Sequence, residues 1–487
     1  MKKLHITLII IGIIFILLPA FHTNIWYDEA YTVAMETHSF GEIWTIGSND
    51  VHPVLYYFLL KFVNLIFGTN ILAYRLFSVL PIIILGILGF THIRKDFGEK
   101  TGILFTFLVF FLPGLTRYIT EIRMYSWNML FVTLTAIYAY RFYKEKYSIK
   151  NIIIFGIFSL ASAYTHYYGL MTSGIINLIL LVYFIKNAKE RKKELIAFVI
   201  CGIIQVGLYL PWLMIFISQT VSVVENGFWI TIKFPDTLLD VLTVEFVGRE
   251  QIMKFITIAP IIIMYIFIGI KIYKMKKEKD DIKPGIYALS IYLLITFAAL
   301  IVSLVARPIL MDRYLLVDAG LLIFFIAYFV GKIDKKLFSI ILCTIVLGFS
   351  IYTTTKAIMD NYNDSNNVML NYVKDRIQEN DSFLMYSDEI SGFAISVKYP
   401  EHMQYFHDNH NWGAGGAYDV FKPNMIRSSE LSELMESASG RIWVINISKE
   451  DLQSQILEKY DATLIDRGEF WTKYNNYFFS FSLINKN

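Results

Sequence analysis

The chain has 487 residues, of which 55% are hydrophobic and only 17% are charged, and its mean hydropathy is +0.50. These values exclude an ordinary soluble domain and indicate an integral membrane protein. The net charge of +3 is small for this length and argues against a basic surface for nucleic acid. Cys201 and Cys343 both lie in apolar runs, which excludes a secreted fold built on disulfides.

The amino terminus begins a series of predicted membrane spans. Its basic start and the apolar run from Leu4 to Phe21 resemble a secretory signal without a small-residue cleavage site, so we expect an uncleaved signal anchor. A hydrocarbon core about 30 Å thick requires roughly 20 apolar residues in helical form. Eleven segments meet or approach this length: 4–21, 74–92, 101–116, 124–143, 149–165, 168–186, 194–217, 251–273, 286–306, 314–331 and 337–356.

The apolar stretch from Pro53 to Phe67 is too short for a span and carries Lys61 and Asn64, so we predict a helix in the membrane interface. The distribution of lysine and arginine supports this prediction, because cytoplasmic loops carry their excess. A crossing at 53–67 would move every lysine-rich loop outside the cell. With eleven spans, five loops with 3, 3, 5, 5 and 3 basic residues fall in the cytoplasm: 93–100, 144–150, 186–193, 274–283 and 332–336.

An odd number of spans with a cytoplasmic amino terminus places the chain after about Lys356 outside the cell. Strand-like runs at 382–386, 441–447 and 476–484 alternate there with amphipathic helical patterns at 368–377 and 449–459. The glycine-rich run Asn409–Gly416 lacks the spacing of a phosphate loop and is expected to be a surface loop.

We therefore predict a mainly α, polytopic helix bundle over residues 1–356, with interfacial helices on the outer face at about 28–67. An extracytoplasmic α/β domain follows over residues 357–487. The predicted location is the cytoplasmic (plasma) membrane.

The predicted topology brings several polar side chains to the outer boundary of the membrane. Such groups remain near lipid only when they are turned inward and paired, so their accumulation at one depth predicts a polar cavity. They are Asp28, Glu29 and His52 in the first outer segment, Arg117, Glu121, Arg123 and Tyr125 before the fourth span, His166 in the turn 164–169, and Arg307, Asp312, Arg313 and Tyr314 before the tenth span.

Five sequence pieces resemble, in this order, bacterial and archaeal membrane glycosyltransferases of the GT-C class. They are W-Y-D-E-A-Y at 26–31, V-H-P-V-L-Y-Y-F at 51–58, I-T-E-I-R-M-Y-S at 119–126, Y-T-H-Y-Y-G at 164–169 and R-P-I-L-M-D-R-Y-L-L at 307–316. The likeness covers roughly residues 1–330 and is to family 39-type members, protein-mannosyltransferase-like or aminoarabinose-transferase-like. It implies a GT-C-like fold, a lipid-phosphate sugar donor, inverting transfer at the outer leaflet, and a carboxylate in the first outer loop as base.

The chemistry of such a transfer assigns roles to the candidate residues. An acceptor hydroxyl needs an ionised carboxylate to take its proton, and Asp28 is the predicted base. The departing phosphate gains charge, and Arg313 is the leading candidate to bind it, because a guanidinium presents paired donors to phosphate oxygens. Glu29 and Glu121 complete the catalytic set, Glu29 by ordering the loop and Glu121 by holding Arg123 or the sugar. The other predicted substrate contacts are His52, Arg123, Tyr125, His166, Arg307 and Tyr314, with Tyr27 and Tyr56 as further aromatic faces.

Each assignment has a structural alternative. Asp28 could cap the following helix, and Glu121 with Arg123 could be a plain ion pair at a helix end. His52 could be only a turn residue before Pro53, and His166 could be a satisfied boundary histidine. The late arginines could reach lipid headgroups. No cofactor is predicted, and a divalent metal held by Asp28, His52 and His166 is not favoured because their spacing matches no recognised ligand pattern.

Two functions from different classes compete. The leading hypothesis is transfer of a sugar from a polyprenyl-phosphate donor to a lipid, glycan or protein acceptor, with membrane lipids but no nucleic acid as partners. The alternative is a transporter or flippase of lipid-linked saccharides, although transporters more often show repeated halves with broken helices at mid-membrane depth. A glycan-binding tail on a membrane anchor is a third idea, but eleven spans exceed what anchoring requires.

Overall fold

The computed structural model describes residues 1–145, 148–227, 230–247, 251–386, 393–407, 419–422, 424–446, 452–472 and 477–486. These residues form two compact units, each with its own internal packing. The membrane unit comprises residues 1–21, 52–59 and 73–357, and the α/β unit comprises residues 22–51, 60–72 and 358–487.

Most of the described chain is helical. The helices before residue 190 are α1 (Lys2–Leu17), α2 (Tyr27–Met35), α3 (Phe40–Ser48), α4 (Leu55–Phe67), α5 (Ile71–Leu88), a π-helical turn (Gly89–Ile93), α6 (Arg94–Phe97), α7 (Glu99–Phe111), α8 (Leu115–Tyr118), α9 (Tyr125–Lys144), α10 (Ile149–Ala163) and α11 (Tyr167–Lys186). The later helices are α12 (Lys192–Asn226), α13 (Asp236–Val247), α14 (Gln251–Lys277), α15 (Lys283–Val305), α16 (Asp312–Leu315), a 3-10 turn (Leu316–Asp318), α17 (Ala319–Val330), α18 (Lys336–Asn361), α19 (Ser365–Lys374), α20 (Phe393–Ser396), α21 (Leu431–Ser437) and α22 (Leu452–Lys459).

Every predicted span coincides with a helix, although not every helix is long enough to cross a membrane alone. Within the described residues, seven helical stretches are long and apolar enough: Ile71–Phe97, Tyr167–Lys186, Lys192–Asn226, Lys254–Lys277, Lys283–Val305, Asp312–Val330 and Lys336–Asn361. The other four predicted spans fall on helices that are shorter or more polar, α1, α7, α9 and α10, so eleven crossings stay a prediction.

Burial separates the central helices of the membrane unit from the peripheral ones. In the most apolar 18 residues of Asp312–Val330, 94% are buried, whereas only 11% are buried in the corresponding part of α12. A helix that is apolar on all sides and buried belongs in the middle of a bundle. The isoleucine and leucine side chains exposed along α12 therefore form surface that suits contact with lipid.

The predicted cytoplasmic loops meet on one face of the membrane unit. Loops rich in basic residues are expected on the same side of the membrane, and their common face agrees with this expectation. That this side is the cytoplasm stays a prediction. The contacts that join the loops are Arg141 Nε to Asp96 Oδ2 at 2.7 Å, Arg191 Nη2 to Glu145 O at 2.8 Å, Lys144 Nζ to Asp281 Oδ2 at 3.5 Å and Lys271 Nζ to Asp334 Oδ2 at 3.7 Å.

The α/β unit contains a six-stranded sheet with the order β3-β2-β1-β4-β6-β5. The first four strands in this order are parallel, and β6 is antiparallel to both of its neighbours. The strands are β1 (Ser382–Tyr386), β2 (Gln404–His407), β3 (Met425–Ser428), β4 (Gly440–Asn446), β5 (Ala462–Thr472) and β6 (Tyr477–Lys486). The predicted fold class, a helix bundle with a small α/β domain, is confirmed.

The sequence patterns located β1, β4, β6, α19 and α22, and the other elements of this unit were not predicted. Strands β2 and β3 have four residues each, too few to show an alternating pattern. The predicted interfacial region at 28–67 contains three helices, α2, α3 and α4. The glycine-rich run Asn409–Gly416 lies outside the described residues.

The orientation of the membrane unit can be tested with single cysteines in a chain whose Cys201 and Cys343 are replaced by serine. Thr45 and Lys189 are exposed residues of the first outer segment and of a basic loop. We expect Thr45→Cys to react with a membrane-impermeant maleimide in intact cells and Lys189→Cys to react only after permeabilisation. The reverse pattern would contradict the predicted topology.

Candidate active site

The adjacent acids Asp28 and Glu29 lie in the first turn of α2, within the α/β unit. Glu29 is fully buried, and its Oε2 accepts a hydrogen bond from the backbone N–H of Trp26 at 3.3 Å. Glu29 therefore caps the start of the helix. Asp28 is half-buried in the same turn of the helix.

Five aromatic side chains of the membrane unit lie together where several of its helices begin. We call them the histidine–tyrosine cluster: His52, Tyr125, His166, Tyr168 and Tyr314. Their ring centroids are 5.6 Å apart for His52 and His166, 4.9 Å for His166 and Tyr314, 5.9 Å for Tyr125 and His166, and 5.5 Å for Tyr168 and Tyr314. The structure thus brings together four residues that the sequence predicted to share a site.

The starts of two helices position two rings of the cluster. Tyr125 is the first residue of α9, and His166 is the N-cap of α11. The backbone N–H of Leu55 donates to Tyr164 O at 2.9 Å, which ties the chain just after His52 to the end of α10. At Gly169 an added Cβ would lie 2.4 Å from both Asn128 Nδ2 and Ser162 Oγ, so glycine permits the close packing of α11 against α9 and α10.

His166 is a neutral hydrogen-bond donor. Its Nδ1 accepts from the backbone N–H of Tyr168 at 3.2 Å, so the proton of the neutral ring is on Nε2. No residue in the described part of the chain accepts from Nε2. Burial, followed by the charges of His52, Arg123 and Arg313, holds the pKa of His166 well below its usual value.

Two buried arginines accompany the cluster. The Nη1 of Arg123 donates to the hydroxyl of Tyr57 at 3.5 Å. The guanidinium carbon of Arg313 lies 5.8 Å from the centre of the Tyr314 ring. Both side chains are 4% exposed, and both influence the pKa of His166. A buried pair of guanidinium groups beside a neutral N–H donor is suited to an anion with several oxygen atoms.

Other predicted residues have different surroundings. The Nε of Arg307 donates to Val224 O at 2.8 Å, at the end of α12. Glu121 is buried and its Oε1 accepts from Arg117 Nε at 3.3 Å, while Arg117 is half-exposed. Tyr56 is fully buried with its hydroxyl 2.9 Å from Ser78 Oγ, which is a packing role within the bundle.

Two tyrosines and one helix near the site were not predicted from the sequence. Tyr57 and Tyr168 each directly follow another tyrosine in the sequence. This repetition is the one sequence feature that could have identified them. The hydroxyl of Tyr168 donates to Ile309 O at 2.8 Å and so links α11 to the segment before α16. Helix α13 packs against α16, which carries Arg313.

Close backbone contact holds α13 in the membrane unit. The backbone N–H of Gly114 donates to Glu245 O at 3.0 Å. A Cβ added at Gly114 would meet Val244 O at 1.7 Å, so no larger residue fits at this contact. Over the residues that the structure describes, no group of three or more histidine, cysteine, aspartate or glutamate side chains is arranged to hold a metal ion.

Comparison with known proteins identifies the fold. No family model and no curated protein sequence matches the chain. The crystal structure of ArnT from Cupriavidus metallidurans in the apo state matches with a TM-score of 0.67 and 9% identity, over 98% of this chain and 97% of that chain. The same ArnT bound to undecaprenyl phosphate matches with a TM-score of 0.65 and 9% identity, over 99% and 97%.

A weaker likeness is to the oligosaccharyltransferase of Archaeoglobus fulgidus in complex with zinc and sulfate, with a TM-score of 0.48 and 12% identity over 90% of this chain and 67% of that chain. The ArnT match extends over both units of the chain. The GT-C-like fold expected from the sequence motifs is therefore confirmed.

The neutral state of His166 gives the folded protein a specific pH dependence. Below a pH of about 6.5 the unfolded chain binds a proton at His166 that the folded chain does not bind, so stability falls as the pH falls. We expect His166→Gln to reduce this slope by up to about 1.4 kcal/mol per pH unit. The measurement is the thermal unfolding midpoint in detergent between pH 5 and 7, and an unchanged slope would contradict a neutral His166.

Proposed function

We propose that the chain is an inverting glycosyltransferase that moves a sugar from a polyprenyl-phosphate donor to an acceptor hydroxyl at the outer face of the cytoplasmic membrane. The observation that carries the proposal is the buried pair Arg123 and Arg313 beside the neutral N–H of His166. The ArnT fold supports it, since that ArnT was solved with undecaprenyl phosphate bound.

The position of the cluster along the helices supports the outer face. Helix α9 begins at Tyr125 in the cluster and ends at Lys144, which contacts another basic loop. Its 20 residues span about 30 Å at 1.5 Å per residue, which is about the thickness of the hydrocarbon core. The cluster and the basic loops therefore lie at opposite ends of the membrane unit, and the positive-inside rule assigns the cluster to the outside.

The transfer is a single displacement in which Asp28 acts as base. The acceptor oxygen forms a bond to the anomeric carbon while the bond from that carbon to the phosphate oxygen breaks. The proton of the acceptor hydroxyl passes to the carboxylate of Asp28. The electron pair of the broken bond remains on the polyprenyl phosphate, which leaves with one additional negative charge.

The arginines and His166 stabilise the departing phosphate. Arg313 and Arg123 supply charged N–H donors, and the Nε2–H of His166 supplies a neutral one. Since these side chains are buried, their attraction for the phosphate is less screened than at a surface. The proposed mechanism assigns charge neutralisation to these residues and uses no metal ion. The faces of Tyr125 and Tyr314 offer packing surface for the sugar.

The assignment of Asp28 is tested by Asp28→Asn, which keeps the shape of the side chain and removes the base. We expect kcat to fall by about 10²- to 10⁴-fold, because a general base typically contributes this factor, while donor binding is retained. The assay follows release of free polyprenyl phosphate from a radiolabelled donor. Undiminished turnover would show that Asp28 is not the base. Uptake of intact donor into proteoliposomes without release of free polyprenyl phosphate would favour a transporter.

The phosphate site is tested by Arg313→Gln, with Arg307→Gln as the matched control. Removing a charged hydrogen bond costs about 1.5–3 kcal/mol, so donor affinity should fall roughly 10- to 100-fold at position 313. Arg307 donates to Val224 O, and its replacement should change affinity much less. The measurement is the Kd of the donor by titration, and equal losses in the two variants would contradict the assignment.

A further inference from the structure

Asp28 lies in the segment of residues 22–38. The first residues of this segment are attached to the carboxy-terminal part of the chain. The Nδ2 of Asn24 donates to two backbone oxygen atoms, Asn361 O at 2.8 Å and Asn363 O at 3.2 Å. The ring of His22 lies 6.2 Å from that of Tyr362. These partners are the last residue of α18 and the residues that follow it, so one side chain joins chain positions 337 residues apart.

The second end of the segment is attached in the same way. The Nε2 of His38 donates to Val420 O at 2.7 Å, and Val420 is buried between β2 and β3 in the sequence. A carbonyl oxygen can only accept, so this bond fixes the proton of His38 on Nε2. Asn24 and His38 thus bracket α2, which begins with Asp28 in its first turn.

The middle of the segment packs on the same unit. Helix α2 lies against α20, the short helix after β1. On α2 the side chains of Ala30, Val33, Ala34 and Met35 are all buried. Burial of these apolar side chains gives the helix a fixed face as well as two fixed ends.

A lysine closes the end of α2. The Nζ of Lys61 donates to the backbone oxygen of Glu36 at 2.5 Å and to Asn64 Oδ1 at 3.2 Å. Neither carboxyl oxygen of Glu36 has a hydrogen-bond partner among the described residues. Burial raises the pKa of Glu36 to about 9, although the charge of Lys61 opposes this rise. With Glu36 neutral, the ammonium of Lys61 lies on the backbone oxygen of Glu36 at the end of the helix, where the dipole favours a cation.

We propose that the α/β unit positions the base of the transfer reaction, with Asn24 and His38 as positioning residues for Asp28. The inference rests on the proposed function, because Asp28 is the base there. A small displacement of a reacting group can cost about 10²-fold in rate. Three hydrogen bonds between distant parts of the chain, two from Asn24 and one from His38, therefore give the carboxy-terminal domain a role in catalysis through the position of Asp28.

The test uses Asn24→Asp and His38→Ala in the full-length chain. Asn24→Asp keeps the side-chain shape, removes both N–H donors and places a carboxylate against two carbonyl oxygen atoms. We expect kcat to fall about tenfold in each variant and about 100-fold in the double variant, with the donor KM within about twofold of the wild-type value. Because unfolding of a fraction of the molecules would also lower the apparent kcat at an unchanged KM, kcat is calculated per folded molecule, counted by gel filtration.

Two further variants serve as controls. His38→Gln keeps an N–H donor and should recover most of the kcat lost in His38→Ala. Thr45 is exposed on α3, and its hydroxyl donates to Gly41 O of the same helix, so Thr45→Ala should leave kcat unchanged. Hydrogen exchange gives a readout independent of turnover: amides at 22–38 should exchange faster in both anchoring variants, while those of β1 and β4 keep their wild-type rates.

The outcomes separate the inference from the proposed function. Reduced kcat with wild-type KM and faster exchange at 22–38 supports positioning by the α/β unit. Wild-type kcat in both anchoring variants, with Asp28→Asn inactive, overturns the positioning role and leaves the proposed function intact. A wild-type chain that releases no free polyprenyl phosphate overturns the proposed function, and the positioning role fails with it.

Discussion

A charged side chain remains at the depth of lipid only where protein or water surrounds it, and this constraint determines the arrangement of the membrane unit. Arg123 and Arg313 are buried, and the rings of Tyr125 and Tyr314 lie beside His166, whose pKa both arginines lower. The outward positions of α12 carry isoleucine, valine and leucine instead. The apolar exterior and the polar interior follow from the same cost of placing charge beside hydrocarbon.

Asp28 and Glu29, at the start of α2, carry the same functional group but have different surroundings. Successive residues on a helix point about 100° apart, so Glu29 turns into the protein while Asp28 stays half-exposed. The carboxylate of Glu29 accepts a hydrogen bond from the backbone N–H of Trp26 and so caps the start of the helix. Asp28, next to it in sequence, keeps the solvent exposure that its proposed role as base requires.

Span length and loop charge predicted the longer helices of the membrane unit, because the thickness of the hydrocarbon core sets the length of a span and cytoplasmic loops carry the excess of basic residues. The same topology predicted that His52, Tyr125, His166 and Tyr314 would share a site, and the structure brings their rings together. Helices α2, α3 and α13 have 9 to 12 residues, which is too short for the span criterion. The bond from Asn24 to Asn361 joins residues so far apart that no local pattern could reveal it.

The contacts among the basic loops have a consequence for how the protein responds to salt. The side chains of Lys144 and Asp281 are almost half-exposed, and mobile ions weaken such a pair at ionic strengths where the Debye length falls to about 8 Å. The side chains of Arg141 and Asp96 are more buried, so mobile ions weaken this pair less. The ionic strength of the compartment bathing the loops therefore tunes the link from Lys144, at the end of α9, to Asp281, just before α15, while the buried rings of Tyr125, His166 and Tyr314 are shielded from the salt of the opposite compartment.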